Sequence, residues 1–255
     1  MEGRRDLRTE NNPLPALDFA ADALLLDIDG TLIDIAPTPE AVFVPESLKL
    51  HLSELRTRLQ GAVALISGRT LAAIDELFAP LKFVAAGCHG AELRLEPDGQ
   101  ILRPAPMLTT AERAEIAEVA KLDPRLRLED KHYTMAIHYR SAPELENMLF
   151  GAVNALVAKL PANIEVLCGK DVIEIKIAGF DKGTGLEAIM QSSPFTGRRP
   201  IFLGDDTTDE DAFAALPDFG GLGISVGRLL PGARACVRAP RDVRHWLARS
   251  TEQQR

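Results

Sequence analysis

The chain has 255 residues, a length that suggests one large domain or two small ones. Its content of 46% hydrophobic and 26% charged residues is typical of a globular protein. Its net charge of −8 and aromatic content of 5% argue against nucleic acid or an anionic membrane as a partner. The three cysteines lack C-x-x-C spacing, so we expect reduced thiols and neither disulfides nor a zinc site. Neither a signal peptide nor a membrane-spanning run is recognised, and we expect a cytoplasmic protein.

The first part of the chain alternates short apolar runs with helical segments after a polar N-terminal tail at 1–22. This alternation predicts a parallel sheet covered by helices. The predicted elements are strands at 23–28, 61–66 and 82–87, helices at about 45–60 and at 71–78, and a hairpin over 91–103. Thr70 is the expected N-cap of the second helix.

The pattern changes over 104–178, where two helices and four strands follow the order αββαββ. Thr109 with Glu112, and Ser141 with Glu144, form sequence patterns of capping boxes and predict the two helix starts. The four strands alternate polar and apolar residues, which is typical of an antiparallel sheet with helices on one face. We therefore predict an α+β domain inserted into an α/β domain.

The buried βα pattern then returns. We expect a helix after Lys182, strands at 200–204, in GLGISVG and in ACV, and helices at 209–216 and 240–249. The predicted organisation is a polar tail (1–22), a first core part (23–103), the inserted domain (104–178) and a second core part (179–255).

Asp27-Ile28-Asp29-Gly30-Thr31, at the end of the first buried strand, is the strongest chemical signal. Ligands of an open parallel sheet bind at the carboxyl ends of its strands, and residues two apart on extended chain face the same way. One carboxylate can then attack an electrophile while the other transfers protons. The alternative is an exposed acidic turn. The spacing excludes an EF-hand, because Gly30 stands at loop position 4 where position 6 is required.

A second acidic cluster, Gly204 to Asp211, follows another buried strand. The acids from Asp209 onwards also suit a helix N-terminus, where the dipole stabilises negative charge. Asp205 and Asp206 instead stand directly at the strand end. If this strand neighbours the first one, the converging carboxylates would repel unless a hard cation lay among them, and oxygen ligands suit magnesium.

Two further groups complete a predicted phosphate site. Ser67 ends the second strand and precedes a helix N-terminus, which favours anions. Lys182, before Gly183 and a helix, supplies a positive charge. Each is a weak signal alone, but the order Asp-x-Asp, Ser, Lys, Gly-Asp-Asp is much stronger.

These four elements resemble the motifs of haloacid-dehalogenase-superfamily phosphatases: DIDGTL, the Ser of ISGR, the Lys of DKG, and GDD. Longer stretches resemble the trehalose-6-phosphate phosphatases over about 23–227, namely ISGR, AGCHGAE, LEDKHYTMAIHYR, VIEIKIAGFDKG and GDDTTDEDAF. The resemblance implies a Rossmann-like parallel-sheet core with an inserted αββαββ cap. It also implies magnesium-dependent hydrolysis of trehalose 6-phosphate, a small-molecule sugar phosphate, and leaves open a functional pairing with a trehalose-6-phosphate synthase.

The resemblance assigns a role to each motif residue. Asp27 would be the nucleophile that forms an aspartyl phosphate, and Asp29 the acid and base. The metal would be held by Asp27, the backbone carbonyl of Asp29, and Asp205, with Asp206 and Asp209 close by. The phosphoryl group would be bound by Thr31, Ser67 and Lys182, with Arg69 as a further candidate.

The inserted domain would supply sugar recognition. Glu129 and Lys131 share one strand face at period two, and Glu174 lies on another strand with the same spacing of charges. A solvated sheet face is the alternative. The resemblance favours sugar-hydroxyl contacts for all three residues. Cys88 and His89, in a core loop expected to face the cap, are either structural or part of the entry.

Three rival functions remain at this point. Another sugar phosphatase, of the sucrose-phosphate or mannosyl-phosphoglycerate type, would share the chemistry and differ in substrate. A mutase of the same superfamily is a weaker candidate. A phospho-acceptor regulatory module also uses an acidic cluster and a lysine, but it needs neither an acid two residues beyond the nucleophile nor a large insertion.

Overall fold

Strands and helices alternate through residues 14–35, 42–169 and 171–252, which are the residues that this computed structural model describes. The strands are β1 (Asp22–Leu26), β2 (Val63–Ile66), β3 (Val84–Gly87), β4 (Glu92–Arg94), β5 (Arg127–Asp130), β6 (Thr134–His138), β7 (Ile164–Gly169), β8 (Val172–Ile177), β9 (Arg199–Gly204), β10 (Leu222–Val226) and β11 (Ala235–Val237). The helices are α1 (Glu46–Arg58), α2 (Leu71–Phe78), α3 (Thr110–Ala120), α4 (Glu146–Val157), α5 (Lys182–Met190), α6 (Glu210–Ala215) and α7 (Pro240–Glu252). Among these helices, none is both long enough and apolar enough to cross a membrane.

Seven strands form the core sheet, in the order β11-β10-β9-β1-β2-β3-β4. All neighbours pair in parallel except β3 and β4, which are antiparallel. Strands β1, β2 and β3 are buried along their whole length, which explains why they are almost continuous apolar runs. Because β1 lies between β2 and the much later β9, its carboxyl end stands where the strand order reverses, and ligands bind at such points.

A separate four-stranded antiparallel sheet, β5-β6-β8-β7, forms the inserted domain, which we call the cap. Helices α3 and α4 pack on each other and on this sheet. The cap has a hydrophobic cluster of its own, which includes Ile116, Leu149 and Ile175. The predicted fold class, an α/β parallel-sheet core with an inserted αββαββ domain, is thus confirmed. All six cap elements lie within 104–178, while the exact domain boundaries stay a prediction.

The N-terminal segment differs from the predicted tail in its described part. Leu17 is buried, and the indole Nε1 of Trp246 donates a hydrogen bond to the backbone oxygen of Pro15 at 2.9 Å. The Arg58 guanidinium lies 4.1 Å from the centroid of the Phe19 ring. The apolar side chains of Leu14, Leu17 and Phe19 pack against the core, and this burial holds residues 14–22 against the folded domain. Residues 1–13 lie outside the described part.

The two expected capping boxes have different outcomes. The first is confirmed, since Thr109 Oγ1 accepts from the Glu112 N–H and the Glu112 carboxylate accepts from the Thr109 N–H. The second is wrong, because Pro143–Leu145 form a 3₁₀ turn and α4 begins only at Glu146. The Glu144 carboxylate pairs with Arg125 of the preceding connection at 2.7 Å. Of the hairpin predicted over 91–103, the structure has β4 and one antiparallel bridge between residues 93 and 102.

Candidate active site

The carboxyl ends of three adjacent core strands bring the first motif residues together. Asp27 follows β1, Ser67 follows β2, and Asp205 follows β9. The Asp27 N–H donates to the Leu203 oxygen at 2.9 Å, so the ladder between β1 and β9 continues up to the motif and fixes its register. Neighbouring parallel strands therefore place both acidic motifs at one edge, as the sequence predicted.

Lys182 joins these motifs through two ion pairs. It is the first residue of α5, whose N-cap Asp181 accepts a hydrogen bond from the Thr184 N–H. Its Nζ lies 2.8 Å from Asp27 Oδ1 and 2.7 Å from Asp209 Oδ1, and all three side chains are buried. Although burial disfavours the charge of Lys182, the two carboxylates hold its pKa above the ordinary value.

Asp209 supports the loop that carries Asp205 and Asp206. Its Oδ2 accepts hydrogen bonds from the backbone N–H groups of both residues, at 2.9 and 3.0 Å. The side chain fits beneath the end of β9 because residue 204 is glycine, where a Cβ atom would lie 2.3 Å from the Asp209 Cγ. Asp209 therefore orients both the lysine and the second acidic motif.

Asp205 lies directly against Gly30 of the first motif. A Cβ at Gly30 would be 2.1 Å from Asp205 Oδ2, and Gly30 has a φ of +82°, which side-chain-bearing residues rarely adopt. The Thr31 hydroxyl is 3.5 Å from Asp205 Oδ1. The glycine of the Asp-Gly-Thr sequence thus provides both the turn and the space for this carboxylate.

Asp27, Asp205 and Asp209 each offer a carboxylate oxygen, and the three oxygens lie within 4.8 Å of one another. Burial raises the pKa of Asp27 well above its ordinary value, against the effect of Lys182. Burial and then the charge of Asp209 raise the pKa of Asp205 to about 7. Asp27 Oδ2 is buried with no hydrogen-bond partner among the described residues. A hard divalent cation fits this all-oxygen, mutually repelling group.

Two residues assigned to the metal site have other partners for their side chains. Arg69 binds both oxygens of the Asp29 carboxylate, with Nε 2.6 Å from Oδ2 and Nη2 2.7 Å from Oδ1, while the expected ligand of this residue, its backbone carbonyl, stays a prediction. Asp206 Oδ1 accepts from the Thr207 N–H at 2.6 Å and thereby caps the 3₁₀ turn Thr207–Asp209. Among the described residues, the third converging carboxylate is that of Asp209. Sequence reasoning could not rank the two acids, since both follow the same strand.

Two hydroxyl groups were predicted to bind the phosphoryl group, and only one of them lines the cavity. Ser67 lines the central cavity, and its Oγ accepts from the Arg69 N–H at 3.2 Å. Thr31 is completely buried behind Asp205 and is not among the residues that line the cavity.

The three predicted sugar-binding residues form one charged cluster on the cap sheet. Lys131 Nζ lies 3.2 Å from Glu174 Oε1 and 3.8 Å from Glu129 Oε1. The hydrogen bond from His138 is the main reason why the pKa of Glu129 is lowered. The side chains of Lys131 and Glu174 are 9% and 13% exposed, which argues against a solvated sheet face for these two residues, whereas the Glu129 side chain is 41% exposed.

A cavity of about 980 Å³ lies between the cap and the core. Every predicted site residue except Thr31 lines it: Asp27, Asp29, Ser67, Arg69, Glu129, Lys131, Glu174, Lys182, Asp205 and Asp206. The phosphate-binding motifs and the charged cap cluster therefore face one space. That space is large enough for a drug-sized or disaccharide-sized ligand.

The cavity also has lining residues that sequence reasoning did not assign to the site. Arg127, Arg140 and Arg228 add guanidinium groups to its wall, although the chain is acidic overall. Arg228 stands just after β10, at the carboxyl end of a core strand, and this position in the sequence would have predicted that it belongs to the site. His89 of the core lines the cavity as well and lies 2.8 Å from Glu174 of the cap.

Comparison with known proteins agrees with this geometry. The sequence model of the trehalose-phosphatase family matches residues 25–234. A probable trehalose-phosphate phosphatase of Sinorhizobium fredii is 40% identical over 222 residues, which cover 86% of this chain and 82% of that protein. The trehalose-6-phosphate phosphatase of Escherichia coli is 37% identical over 226 residues, which cover 88% and 85% of the two chains.

Among solved structures, the C-terminal domain of Candida albicans trehalose-6-phosphate phosphatase has the same fold. The TM-score is 0.81 at 23% identity, over 94% of this chain and 98% of that one. The chain therefore belongs to the trehalose-phosphatase family, and it is a phosphatase with the haloacid-dehalogenase fold.

Proposed function

We propose that the chain hydrolyses trehalose 6-phosphate to trehalose and phosphate, with magnesium as cofactor and an aspartyl phosphate on Asp27 as intermediate. One observation carries the proposal. A single cavity has a lysine and converging carboxylates at its core end and a buried charged cluster at its cap end. The first set suits a phosphoryl group and the second suits sugar hydroxyls.

Asp27 supplies the nucleophile. Its Oδ1 is held by Lys182, which leaves the unpartnered Oδ2 to attack phosphorus. As the new oxygen–phosphorus bond forms, the bond between phosphorus and the sugar oxygen breaks. Lys182 offsets negative charge beside the reacting group, and such positioning and neutralisation are the main requirements of phosphoryl transfer.

Asp29 handles the protons in both half-reactions. It gives a proton to the departing sugar oxygen, and it then takes a proton from the water that attacks the aspartyl phosphate. Phosphate leaves and Asp27 is regenerated. Because Arg69 binds both Asp29 oxygens in the structure, the reaction requires this ion pair to open first.

Asp27 and Asp205 are the residues best placed to hold magnesium. The backbone carbonyl of Asp29 and the carboxylate of Asp206 stay predicted ligands. The bound ion would neutralise the carboxylates and the phosphoryl oxygens that approach them. The convergence of carboxylate oxygens from Asp27, Asp205 and Asp209 and the raised pKa of Asp205, caused by burial and Asp209, both support a cation at this place.

Glu129, Lys131 and Glu174 would recognise the sugar. A carboxylate accepts hydrogen bonds from hydroxyl groups and an ammonium group donates to them, so the cluster can bind several hydroxyls at once. Closure of the cap over the core would exclude water from the intermediate and use the distant glucose to position the phosphoryl group. Pairing with a trehalose-6-phosphate synthase and a cytoplasmic location stay predictions.

The test is release of free phosphate from a panel of esters, with and without a chelator. The panel includes trehalose 6-phosphate, sucrose 6-phosphate, mannosyl phosphoglycerate and p-nitrophenyl phosphate. We expect trehalose 6-phosphate to have the highest kcat/KM, with activity lost in chelator and restored by magnesium. A preference for another sugar ester would overturn the substrate. A single stable phosphorylation without turnover would instead identify a regulatory module.

A further inference from the structure

The core loop that carries His89 has an uncommon backbone. Cys88, His89 and Gly90 have consecutive φ values of +48°, +54° and +92°. Two successive residues with side chains rarely adopt this left-handed region, and they keep it only where the surroundings impose it. The loop is therefore held in place for a reason other than local preference.

The surroundings that impose it belong to both domains. The Cys88 N–H donates to the Arg69 oxygen at 2.8 Å, and the His89 N–H donates to the Ser67 oxygen at 3.1 Å. The loop is thus bonded to the backbone of the predicted phosphate site. Cys88 also packs in a small apolar cluster with Ala91, Ala105, Tyr133 and Phe180, which includes a cap residue and residues near both chain crossings between the domains.

The His89 side chain extends from this loop to the cap. The side chain is 6% exposed and lies against Gly68, where a Cβ atom would be 2.6 Å from Nε2. The same Nε2 is 2.8 Å from Glu174 Oε2. One imidazole therefore connects the Ser-Gly-Arg loop of the core to a proposed sugar-binding carboxylate of the cap.

This contact leaves Glu174 able to bind a sugar. Burial disfavours the charge of Glu174, but Lys131 and His89 outweigh it and hold its pKa below the ordinary range. The carboxylate is then an acceptor, and His89 Nε2 donates. An ionised carboxylate accepts about four hydrogen bonds. Lys131 and His89 occupy one site on each oxygen, so sites for hydroxyl donors remain.

We propose that His89 is a positioning residue for substrate specificity: it fixes the Glu174 carboxylate for the sugar and links that carboxylate to the phosphate loop. The inference rests on the proposed function, since it concerns the sugar end of the same site. The His89–Glu174 contact makes recognition of the sugar depend on correct seating of the cap on the core.

A matched pair of amide variants tests this role. His89→Gln retains a donor with nearly the reach of Nε2, whereas His89→Asn favours the left-handed backbone but is too short to contact Glu174. We expect His89→Asn to lower the ratio of kcat/KM for trehalose 6-phosphate to that for p-nitrophenyl phosphate by about tenfold, and His89→Gln to restore most of it. His89→Gly, which tolerates a positive φ, replaces the asparagine variant if that one does not fold.

A double-mutant cycle with Glu174→Ala shows whether His89 acts through Glu174. We expect His89→Asn to cause no further loss in the Glu174→Ala background. Equal losses for Asn and Gln, or an undiminished loss in that background, would overturn the assignment. If the wild type prefers another sugar ester, the proposed function fails, while the same ratio measured with that ester still decides the role of His89.

Discussion

The Arg69 guanidinium binds both carboxylate oxygens of Asp29, at 2.6 and 2.7 Å, and the backbone N–H of Arg69 donates to Ser67 Oγ. Arg69 therefore links the proposed acid–base residue to the phosphate loop. An arriving phosphoryl group would compete with Asp29 for the same planar fork of donors. Binding of the substrate to Arg69 would then release the Asp29 carboxylate from its ion pair.

The first prediction concerns Arg69→Ala. We expect KM for trehalose 6-phosphate and the inhibition constant of inorganic phosphate to rise together by about tenfold, because both ligands lose a charged hydrogen bond. Arg69→Lys should recover part of the binding as a single point charge. Arg125→Lys, on the exposed cap surface, is the control. Steady-state kinetics showing a lower kcat with unchanged phosphate inhibition would mean that Arg69 acts on Asp29 alone.

The second prediction separates the two acids of the first motif. Asp27→Asn should abolish turnover, because the amide has nearly the shape of the carboxyl group but cannot act as the nucleophile. Asp29→Asn should retain phosphate binding and lose about 10²- to 10⁴-fold in kcat. Phosphate release and thermal melts check both variants. Near wild-type turnover in Asp27→Asn would exclude the covalent mechanism.

Much of the architecture was predictable because it depends on local sequence patterns. Fully buried strands read as apolar runs, the cap strands alternate, and Thr109 had a partner three residues later. The start of α4 was not predictable, because Glu144 has a tertiary partner in Arg125 that competes with the capping role. Chain order cannot show such a competition.

The candidate site, like the fold, was predictable only in part. The convergence of Asp27 with Asp205 followed from the rule that ligands bind at the carboxyl ends of parallel strands. Which further acid joins them depends on rotations within one short loop, where Asp209 turns inward and Asp206 caps the turn. The Arg69–Asp29 ion pair likewise joins two loops whose side-chain directions are set only by the packed structure.

The third prediction links metal and pH. Burial and the charge of Asp209 raise the pKa of Asp205 to about 7, above that of the unfolded chain. The folded protein therefore keeps a proton that the unfolded chain releases, and the stability of the metal-free protein should fall as the pH rises from about 4 to about 7. Magnesium, which binds the ionised form, should raise the melting temperature more at about pH 8 than at about pH 5.

Asp205→Asn should remove most of this metal response, and Asp218→Asn, at an exposed position, should retain it. Thermal melts with magnesium or with chelator at the two pH values give the result. A wild-type response to magnesium in Asp205→Asn would take Asp205 out of the metal site.

The fourth prediction concerns the cap cluster. Lys131→Ala or Glu174→Ala should lower kcat/KM for trehalose 6-phosphate, with a loss of transition-state stabilisation of about 1 to 3 kcal/mol per charged hydrogen bond removed. The change for p-nitrophenyl phosphate should be much smaller. Glu144→Gln is the control, since Glu144 is a cap carboxylate whose ion pair with Arg125 is exposed. Equal losses on both esters would mean that the cluster only holds the cap together.

The last prediction compares two glycines with the same backbone and different neighbours. Gly30 and Gly197 have φ values of +82° and +79°, so alanine costs about 1 to 2 kcal/mol of backbone strain at either position. A Cβ at Gly197 meets nothing within 4 Å, whereas a Cβ at Gly30 would lie 2.1 Å from Asp205 Oδ2. Gly197→Ala should therefore lower the melting temperature alone. Gly30→Ala should also displace the Asp205 carboxylate and lose both phosphate release and stabilisation by magnesium. If Gly30→Ala keeps its magnesium response and matches Gly197→Ala in kcat/KM, the contact between Gly30 and Asp205 does not hold the metal site together.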